Sequence, residues 1–118
     1  MENIIKHKSF AFAIRIVKLY QFLCYTKKEF ILSKQLLRSG TAVGALVREA
    51  EHAESKADFK HKMAIAQKEI NESIYWLELL KETDYLTIEQ FESINKDAVE
   101  IIKLLTSIIK STKANINH

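Results

Sequence analysis

Two histidines of this chain stand at a spacing that metal-binding helices use. Glu49-x-x-His52 and Asp58-x-x-His61 each place a carboxylate three residues before an imidazole, the arrangement with which facing helices of a bundle hold two iron ions. The ligands of such a site must point into the bundle. On a helical wheel, His52 and His61 instead fall opposite the apolar positions of their own helices. The sequence therefore predicts no metal site and no cofactor.

Arg48 and His52 also invite a comparison with the catalytic arginine and histidine of HEPN-type ribonucleases, which are helical proteins. The pair is more widely spaced in that family, whereas only three residues separate it here. Residues at i and i+4 are ordinary neighbours on a helix surface. We predict that the chain is not an enzyme, and the alternative is a HEPN-like ribonuclease or a metal-dependent enzyme.

The strongest candidate for a binding surface is the outer face predicted for the second helix. Four residues share this face with no acidic residue among them: Lys34, Arg38, Arg48 and His52. Such a row can follow a phosphate backbone, because each neutralised phosphate releases counterions. The first helix adds three cations: Lys8, Arg15 and Lys18. We predict a contact with nucleic acid or an acidic partner, and the alternative is a solvated charged face.

The composition predicts a helical protein that carries these residues. The 118 residues include two glycines and no proline, and 47% of them are apolar, which disfavours a turn-rich β-sandwich. The excess of 18 basic over 15 acidic residues is mild. No apolar run approaches the length of a membrane span, and the single Cys24 cannot form an internal disulfide. We expect a cytoplasmic protein with one domain, residues 1–118.

Capping residues and apolar periodicity divide the chain into four helices. We place them at about residues 10–25, 30–53, 56–82 and 87–113, with Ser9, Ser55 and Thr87 as N-caps. The last three helices each show one apolar stripe at helical spacing. Because short breaks force neighbouring helices to run in opposite directions, we expect an all-α fold, an antiparallel up-down-up-down four-helix bundle.

The first helix is apolar on two sides. One stripe consists of Phe10, Ile14, Val17 and Cys24. The other stripe consists of Phe12, Ile16, Leu19 and Leu23. A helix that is apolar on both sides must be covered on both sides. We therefore predict that the second stripe lies in an oligomer interface; the alternative is a first helix that sits deep in a lopsided bundle.

Gly40 and Gly44 leave one face of the second helix without side chains. Two glycines at this spacing let another backbone approach closely, and the crossing lies either within or between subunits. We favour a helix that continues through both glycines over a turn at Ser39-Gly40. We assign both glycines to the oligomer interface, together with Trp76, which lies off the apolar stripe of the third helix and is a common hot-spot residue.

Two blocks of the sequence resemble the small proteins encoded in intervening sequences of 23S rRNA genes. The first block runs from Leu32 to Ala45 and continues with Arg48-Glu49-Ala50. The second block comprises Ser55-Lys56-Ala57-Asp58-Phe59, then Lys68-Glu69, Glu72 and Tyr75-Trp76-Leu77-Glu78-Leu79-Leu80. The resemblance implies a four-helix bundle that assembles as a ring-like homopentamer, with no established enzymatic activity. It also implies similarity to the accessory variability protein of diversity-generating retroelements, a basic pentamer that binds nucleic acid and a reverse transcriptase.

One position departs from the family's pattern. Leu46 follows Gly44-Ala45 where relatives usually have asparagine, so any role of that asparagine is not carried over. Leu46 faces the predicted core. The sequence thus predicts a non-enzymatic homo-oligomer that acts as an RNA- or nucleoprotein-associated adaptor. Its partners would be copies of itself and RNA or a nucleic-acid-handling protein, without a membrane. A purely structural oligomer without nucleic-acid contact is the remaining alternative.

Overall fold

Four α-helices make up most of the chain in a computed structural model that describes residues 3–116, with side chains through residue 112. They are α1 (Ile4–Tyr25), α2 (Leu32–Ala50), α3 (Lys56–Glu82) and α4 (Ile88–Ile116). No strand occurs in the described residues. Across the same residues, every helix is too short or too polar to span a lipid bilayer. The predicted all-α class with four helices is confirmed.

Helix α1 begins at Ile4, well before the predicted start near residue 10. Its N-cap is Asn3, whose side-chain oxygen accepts a hydrogen bond of 3.2 Å from the Lys6 N–H. The predicted cap Ser9 lies buried within the helix, and its hydroxyl donates to the Lys6 carbonyl. The extra turn is favoured because it buries Ile5 in the core.

Helix α2 begins later and ends earlier than the predicted range 30–53. The carboxylate of Glu29 caps its first turn by accepting hydrogen bonds from the N–H groups of Ile31, Leu32 and Ser33 at 3.0, 2.8 and 2.8 Å. The helix continues through both glycines, as predicted. Its regular hydrogen bonding ends at Ala50, and the chain turns over residues 51–52.

The bounds of α3 match the predicted range 56–82. The predicted caps Ser55, before α3, and Thr87, before α4, are both present. The hydroxyl of Ser55 accepts from the Asp58 N–H at 3.0 Å, and the Asp58 carboxylate accepts from the Glu54 N–H at 3.2 Å. At the start of α4, the Thr87 N–H donates to the Gln90 side chain and the Gln90 N–H donates to the Thr87 hydroxyl. This reciprocal pair is a capping box. Helix α4 continues past its predicted end at residue 113.

Each helix packs against the next one along the chain, and α1 also contacts α4 less extensively. Between α1 and α2, Ile16 lies against Gly40 and Ser9 lies against Gly44. Residues later in α1 therefore contact residues earlier in α2. Nine large side chains fill the centre of the bundle: Phe12, Ile16, Leu23, Leu36, Ile70, Leu77, Leu80, Ile101 and Leu105.

The structure buries the apolar stripe of α1 that was assigned to an oligomer interface. It exposes three of the four residues of the other stripe, whereas the fourth, Cys24, is buried. The stripe assigned to an oligomer interface lies in the core of its own chain: Phe12, Ile16, Leu19 and Leu23. Three of these side chains are at most 1% exposed and Leu19 is half-buried. A second copy is therefore not needed to cover them, and that assignment was wrong. Ile5 is buried in phase with this stripe.

The two glycines of α2 form a close crossing within one chain. A Cβ atom at Gly40 would lie 2.7 Å from Cγ1 of Ile16, and one at Gly44 would lie 3.3 Å from the carbonyl oxygen of Ser9. Both positions therefore face α1 of the same molecule. The assignment of Gly40 and Gly44 to the oligomer interface was wrong, because α1 already occupies the space that the missing side chains leave.

Candidate interaction surface

The side of α1 that faces away from the core exposes a row of apolar side chains. We call Phe10, Ile14 and Val17 the α1 stripe; their exposed fractions are 51, 43 and 38%. The guanidinium carbon of Arg48, on α2, lies 5.0 Å from the centre of the Phe10 ring, within the range of a cation–π contact. The α1 stripe is therefore continuous with the outer face of α2.

All four members of the predicted basic row are exposed, and Lys34, Arg48 and His52 differ from Arg38 in their partners. Lys34 and Arg48 belong to the helix, and His52 lies in the turn that follows it. Among the side chains that the structure describes, no carboxylate forms an ion pair with any of the three. The charges of Lys34 and Arg48 are therefore available to a partner.

Arg38 differs from its neighbours because it binds two carboxylates of α3. Its guanidinium donates to Glu69 at 3.2 Å and, over a shorter distance, to Glu72. The indole N–H of Trp76 also donates to Glu72, at 2.9 Å. This indole bond, followed by the bond from Arg38, lowers the pKa of Glu72. Arg38 thus joins α2 to α3, and its charge is offset within the chain.

Two of the three predicted cations of α1 are also paired. Arg15 donates to Asp97 at 2.7 Å and to the Ser93 hydroxyl at 2.9 Å, and Lys8 forms an ion pair with Glu100. These contacts join α1 to α4. Lys18 is exposed at the edge of the groove between the two helices. Of the seven residues predicted to bind nucleic acid, the ones without a carboxylate partner among the described residues are Lys18, Lys34, Arg48 and His52.

The carboxylates of the two metal-like motifs have other partners. Glu49 forms an ion pair of 3.1 Å with Lys62, and Asp58 caps α3. His52 and His61 are exposed. Within residues 3–116, no three His, Cys, Asp or Glu side chains come together as a metal-binding group. The structure thus brings together neither motif.

Trp76 lies half-buried at the outer edge of α3 and packs against the core. Its ring meets that of Tyr75 edge to face, with centroids 4.9 Å apart, and Tyr75 is 57% exposed. The role of Trp76 in an oligomer interface stays a prediction.

Leu46, the residue that departs from the family's pattern, packs against the core from a half-buried position.

Sequence reasoning missed the loop between α1 and α2. It treated Lys27-Lys28-Glu29 only as a break between helices. In the structure Tyr25, Phe30 and Ile31 are exposed on either side of these residues. The signal was a pair of adjacent lysines between two aromatic residues, Tyr25 and Phe30, which a search confined to the faces of helices does not include.

Comparison with known proteins identifies a family that this chain matches. The family described as 23S rRNA-intervening sequence protein matches residues 1–107. The crystal structure of a protein with unknown function from the S23 ribosomal protein family, from Bacteroides thetaiotaomicron, is 62% identical in sequence. It superposes with a TM-score of 0.89 over 90% of this chain and 98% of that one. No curated protein matches the sequence.

Proposed function

The chain belongs to the 23S rRNA-intervening sequence protein family, and from this we propose that it is a non-enzymatic, homo-oligomeric adaptor that binds RNA. The observation that carries the proposal is the outer face of α2, where Lys34 and Arg48 are exposed without a carboxylate partner among the described residues. The similar crystal structure comes from a ribosomal protein family, which supports RNA as the partner.

Self-association is the part of the proposal that the α1 stripe supports. Its three large apolar side chains share one exposed face, and an exposed apolar patch of this kind marks an interaction site. We propose that up-down-up-down protomers assemble through this stripe into a ring-like homopentamer. A closed ring of more than two copies needs two different surfaces on each copy. We assign the second surface to Trp76 and Tyr75 on α3.

Assembly strengthens RNA binding because every copy brings its own Lys34 and Arg48. Two isolated cations bind a phosphate backbone weakly, whereas several linked pairs act at a high effective concentration. The oligomer is therefore the binding unit in this proposal. The similarity to the accessory variability protein and the cytoplasmic location stay predictions.

The enzyme alternatives have less support from the geometry. A HEPN-like ribonuclease would need Arg48 and His52 to act on one phosphate, but the Arg48 guanidinium lies over the Phe10 ring and His52 lies beyond the end of α2. A metal-dependent enzyme would need inward-facing carboxylates, whereas Glu49 and Asp58 bind an ammonium group and backbone N–H groups.

Charge reversal on α2 tests the proposal. We expect Lys34→Glu with Arg48→Glu to abolish retention of a labelled 23S rRNA transcript in a filter assay, because repulsion replaces two phosphate contacts in every copy. The matched control is Lys96→Glu with Lys103→Glu on α4, which changes the charge equally at two exposed lysines. Since Arg48 also contacts the α1 stripe, light scattering must show an unchanged mass, and Lys34→Glu alone provides a test free of that contact.

Each outcome of this experiment decides something. Loss of RNA by the α2 variants, with retention by the control and an intact oligomer, supports the adaptor. Equal retention by all variants would move the RNA contact away from the outer face of α2. Retention by none of the proteins, the wild type included, would leave a structural oligomer without nucleic-acid contact. Cleavage of the transcript by the wild-type protein, abolished by His52→Ala, would replace the adaptor with a ribonuclease.

A further inference from the structure

The loop between α1 and α2 is firmly tied to the ends of both helices. The N–H groups of Thr26 and Lys27 donate to the Phe22 carbonyl, and the Glu29 N–H donates to the Leu23 carbonyl at 2.9 Å. The backbone of Lys28 adopts the left-handed region, with φ at 56°, which reverses the chain direction. The loop is therefore held in one conformation by hydrogen bonds at both ends.

The acidic side chain of this loop faces inward. Glu29 is 7% exposed, and its carboxylate accepts from three N–H groups at the start of α2. Its backbone carbonyl accepts from the Ser33 hydroxyl at 2.8 Å. The carboxylate is thus occupied by the helix N-terminus, where a negative charge is favoured, and it is not presented to solvent beside the lysines.

The same loop exposes large apolar side chains. Ile31 and Tyr25 are 76 and 73% exposed, the highest values among the large apolar residues that the structure describes, and Phe30 is 55% exposed. Two aromatic rings are thus presented to solvent on a backbone that hydrogen bonds hold in place. Aromatic side chains presented in this way are common in recognition sites.

Exposed lysines lie between and beside these rings. Lys27 and Lys28 separate Tyr25 from Phe30, and Lys34 follows in the first turns of α2. No carboxylate among the described residues forms an ion pair with any of the three lysines. Apart from the buried Glu29, the acidic residues at this end of the bundle lie on the α3–α4 side: Glu82, Asp84 and Glu89. The α1–α2 side of this end is therefore basic.

We propose that Tyr25, Lys27, Lys28 and Phe30, which we call the aromatic corner, bind single-stranded RNA. Bases stack on the two rings, and the lysines contact the phosphates on either side. This inference rests on the proposed function and names the form of RNA that the adaptor recognises. Stacking requires unpaired bases, because a duplex hides the faces of its bases. Lys34 connects the corner to Arg48 along α2, so one strand can follow both.

A second copy of the chain fits this corner less well than RNA does. A symmetric contact between two corners would bring Lys27 and Lys28 of each copy together, and like charges across an interface oppose association. RNA supplies what the corner lacks, since every nucleotide brings a negative phosphate and a flat apolar base.

The test measures binding of a labelled single-stranded oligouridylate and of an RNA duplex of equal strand length by fluorescence anisotropy. We expect Tyr25→Ala with Phe30→Ala to weaken single-strand binding about fivefold or more, with little change for the duplex. Ile88→Ala is the control, because it removes a large apolar side chain that is similarly exposed on α4, outside the surfaces proposed above. Since these side chains lie largely in solvent, the variants are expected to fold.

Two further variants distinguish base stacking from nonspecific apolar contact and from electrostatic attraction. Tyr25→Leu with Phe30→Leu keeps apolar surface but removes the rings, so it should bind as weakly as the alanine variant. Lys27→Gln with Lys28→Gln should flatten the dependence of single-strand affinity on salt. The control Lys96→Gln with Lys103→Gln should leave that dependence nearly unchanged.

Failure of the aromatic corner is distinguishable from failure of the adaptor. If the wild-type protein binds single-stranded RNA and the alanine variant binds it equally well, the corner is overturned and the adaptor stands. If the wild-type protein binds neither probe nor the 23S rRNA transcript, the adaptor itself is overturned. A smaller mass of the alanine variant by light scattering would overturn the corner in favour of a contact between subunits.

Discussion

Ile16 of α1 occupies the space that a side chain at Gly40 of α2 would need. A Cβ atom at Gly40 would lie 2.7 Å from Cγ1 and 2.9 Å from Cγ2 of Ile16, closer than such atoms approach in proteins. Gly40 therefore allows α1 to lie close to α2. It also fixes the rotation of α1 about its own axis, which buries Ile16 and turns Phe10 outward.

Replacing Gly40 with alanine should destabilise the bundle. Because the contact would be as short as 2.7 Å, overpacking should cost about 2–3 kcal/mol. The better helix propensity of alanine recovers about 1 kcal/mol, so we expect a net loss of roughly 1–2 kcal/mol in the free energy of unfolding. Urea titration at a fixed protein concentration measures it. Gly44→Ala is the control, with a smaller loss, because its nearest contact is a looser 3.3 Å. A Gly40→Ala variant as stable as the wild type would refute the proposed close packing.

A double variant checks that the Gly40→Ala effect comes from Ile16. Ile16→Ala deletes the atoms that would clash and leaves a cavity that the alanine at position 40 partly fills. We expect the double variant to be more stable than the sum of the two single effects predicts. Additive losses would place the cause elsewhere in the α1–α2 contact.

The Glu29 cap should make the stability of the protein depend on pH in the acid range. Burial alone would raise the pKa of Glu29, but hydrogen bonds from the N–H groups of Ser33, Leu32 and Ile31 outweigh it and lower the pKa. A carboxyl group with a lower pKa in the folded state stabilises that state above its unfolded pKa, and this contribution is lost as the pH falls through the folded pKa. We therefore expect stability from Glu29 at neutral pH that disappears in acid.

Glu29→Gln isolates this contribution. At neutral pH the variant should be less stable than the wild type by about 1 kcal/mol, the usual loss of a capping interaction. The difference should shrink as the pH is lowered below about 4, since the wild-type carboxyl then becomes neutral as well. Thermal unfolding at a series of pH values measures both. A difference that stays constant with pH would show that charge is not what matters at this cap.

Trp76 should report the ionisation of Glu72. The chain has a single tryptophan, and its indole N–H donates to the Glu72 carboxylate. That bond, followed by the bond from Arg38, lowers the pKa of Glu72. We expect the indole N–H signal in an NMR titration to shift with a midpoint below the usual range of a glutamate. Glu72→Gln should abolish the shift, and Arg38→Gln should move the midpoint upward; a signal unaffected by Glu72→Gln would contradict the assignment.

The α1 stripe should determine the oligomeric state of the protein, and therefore the mass of the assembled species in solution. Ile14→Glu places a charge at the centre of the stripe, where its desolvation in an interface would be costly. We expect light scattering to give a smaller species than the wild type, with helical content unchanged. The control is Ile88→Glu, at an exposed isoleucine in the first turn of α4, where an acidic residue is well tolerated. An unchanged mass for Ile14→Glu would remove the stripe from the oligomer interface.

Local signals in the sequence were sufficient for some elements. The Ser55 and Thr87 caps lie within three residues of their partners, Asp58 and Gln90, and both were predicted. The start of α2 was misplaced because Glu29 caps it from outside the helix. The two stripes of α1 are similarly apolar, so the sequence of α1 does not show which one is buried; a distant contact with Gly40 decides it.

The residues of the candidate site could also be predicted only in part, because the ion-pair partners of its cations lie on another helix. A helical wheel places Arg38 beside Lys34, but it does not include the carboxylates of another helix. Arg38 reaches Glu69 and Glu72, more than thirty residues away in sequence, whereas Lys34 has no such partner among the described residues. Which cations stay available is therefore a property of the folded surface.

Helix α1 is held in different ways on its two flanks. Toward α2 it packs backbone against backbone at Gly44, a contact that dissolved ions do not affect. Toward α4 it has fewer contacts, and the Arg15–Asp97 ion pair there is about 40% exposed. Salt screens such a pair. The α1–α4 contact is therefore the one that salt weakens, and we expect it to open before the α1–α2 contact at high ionic strength.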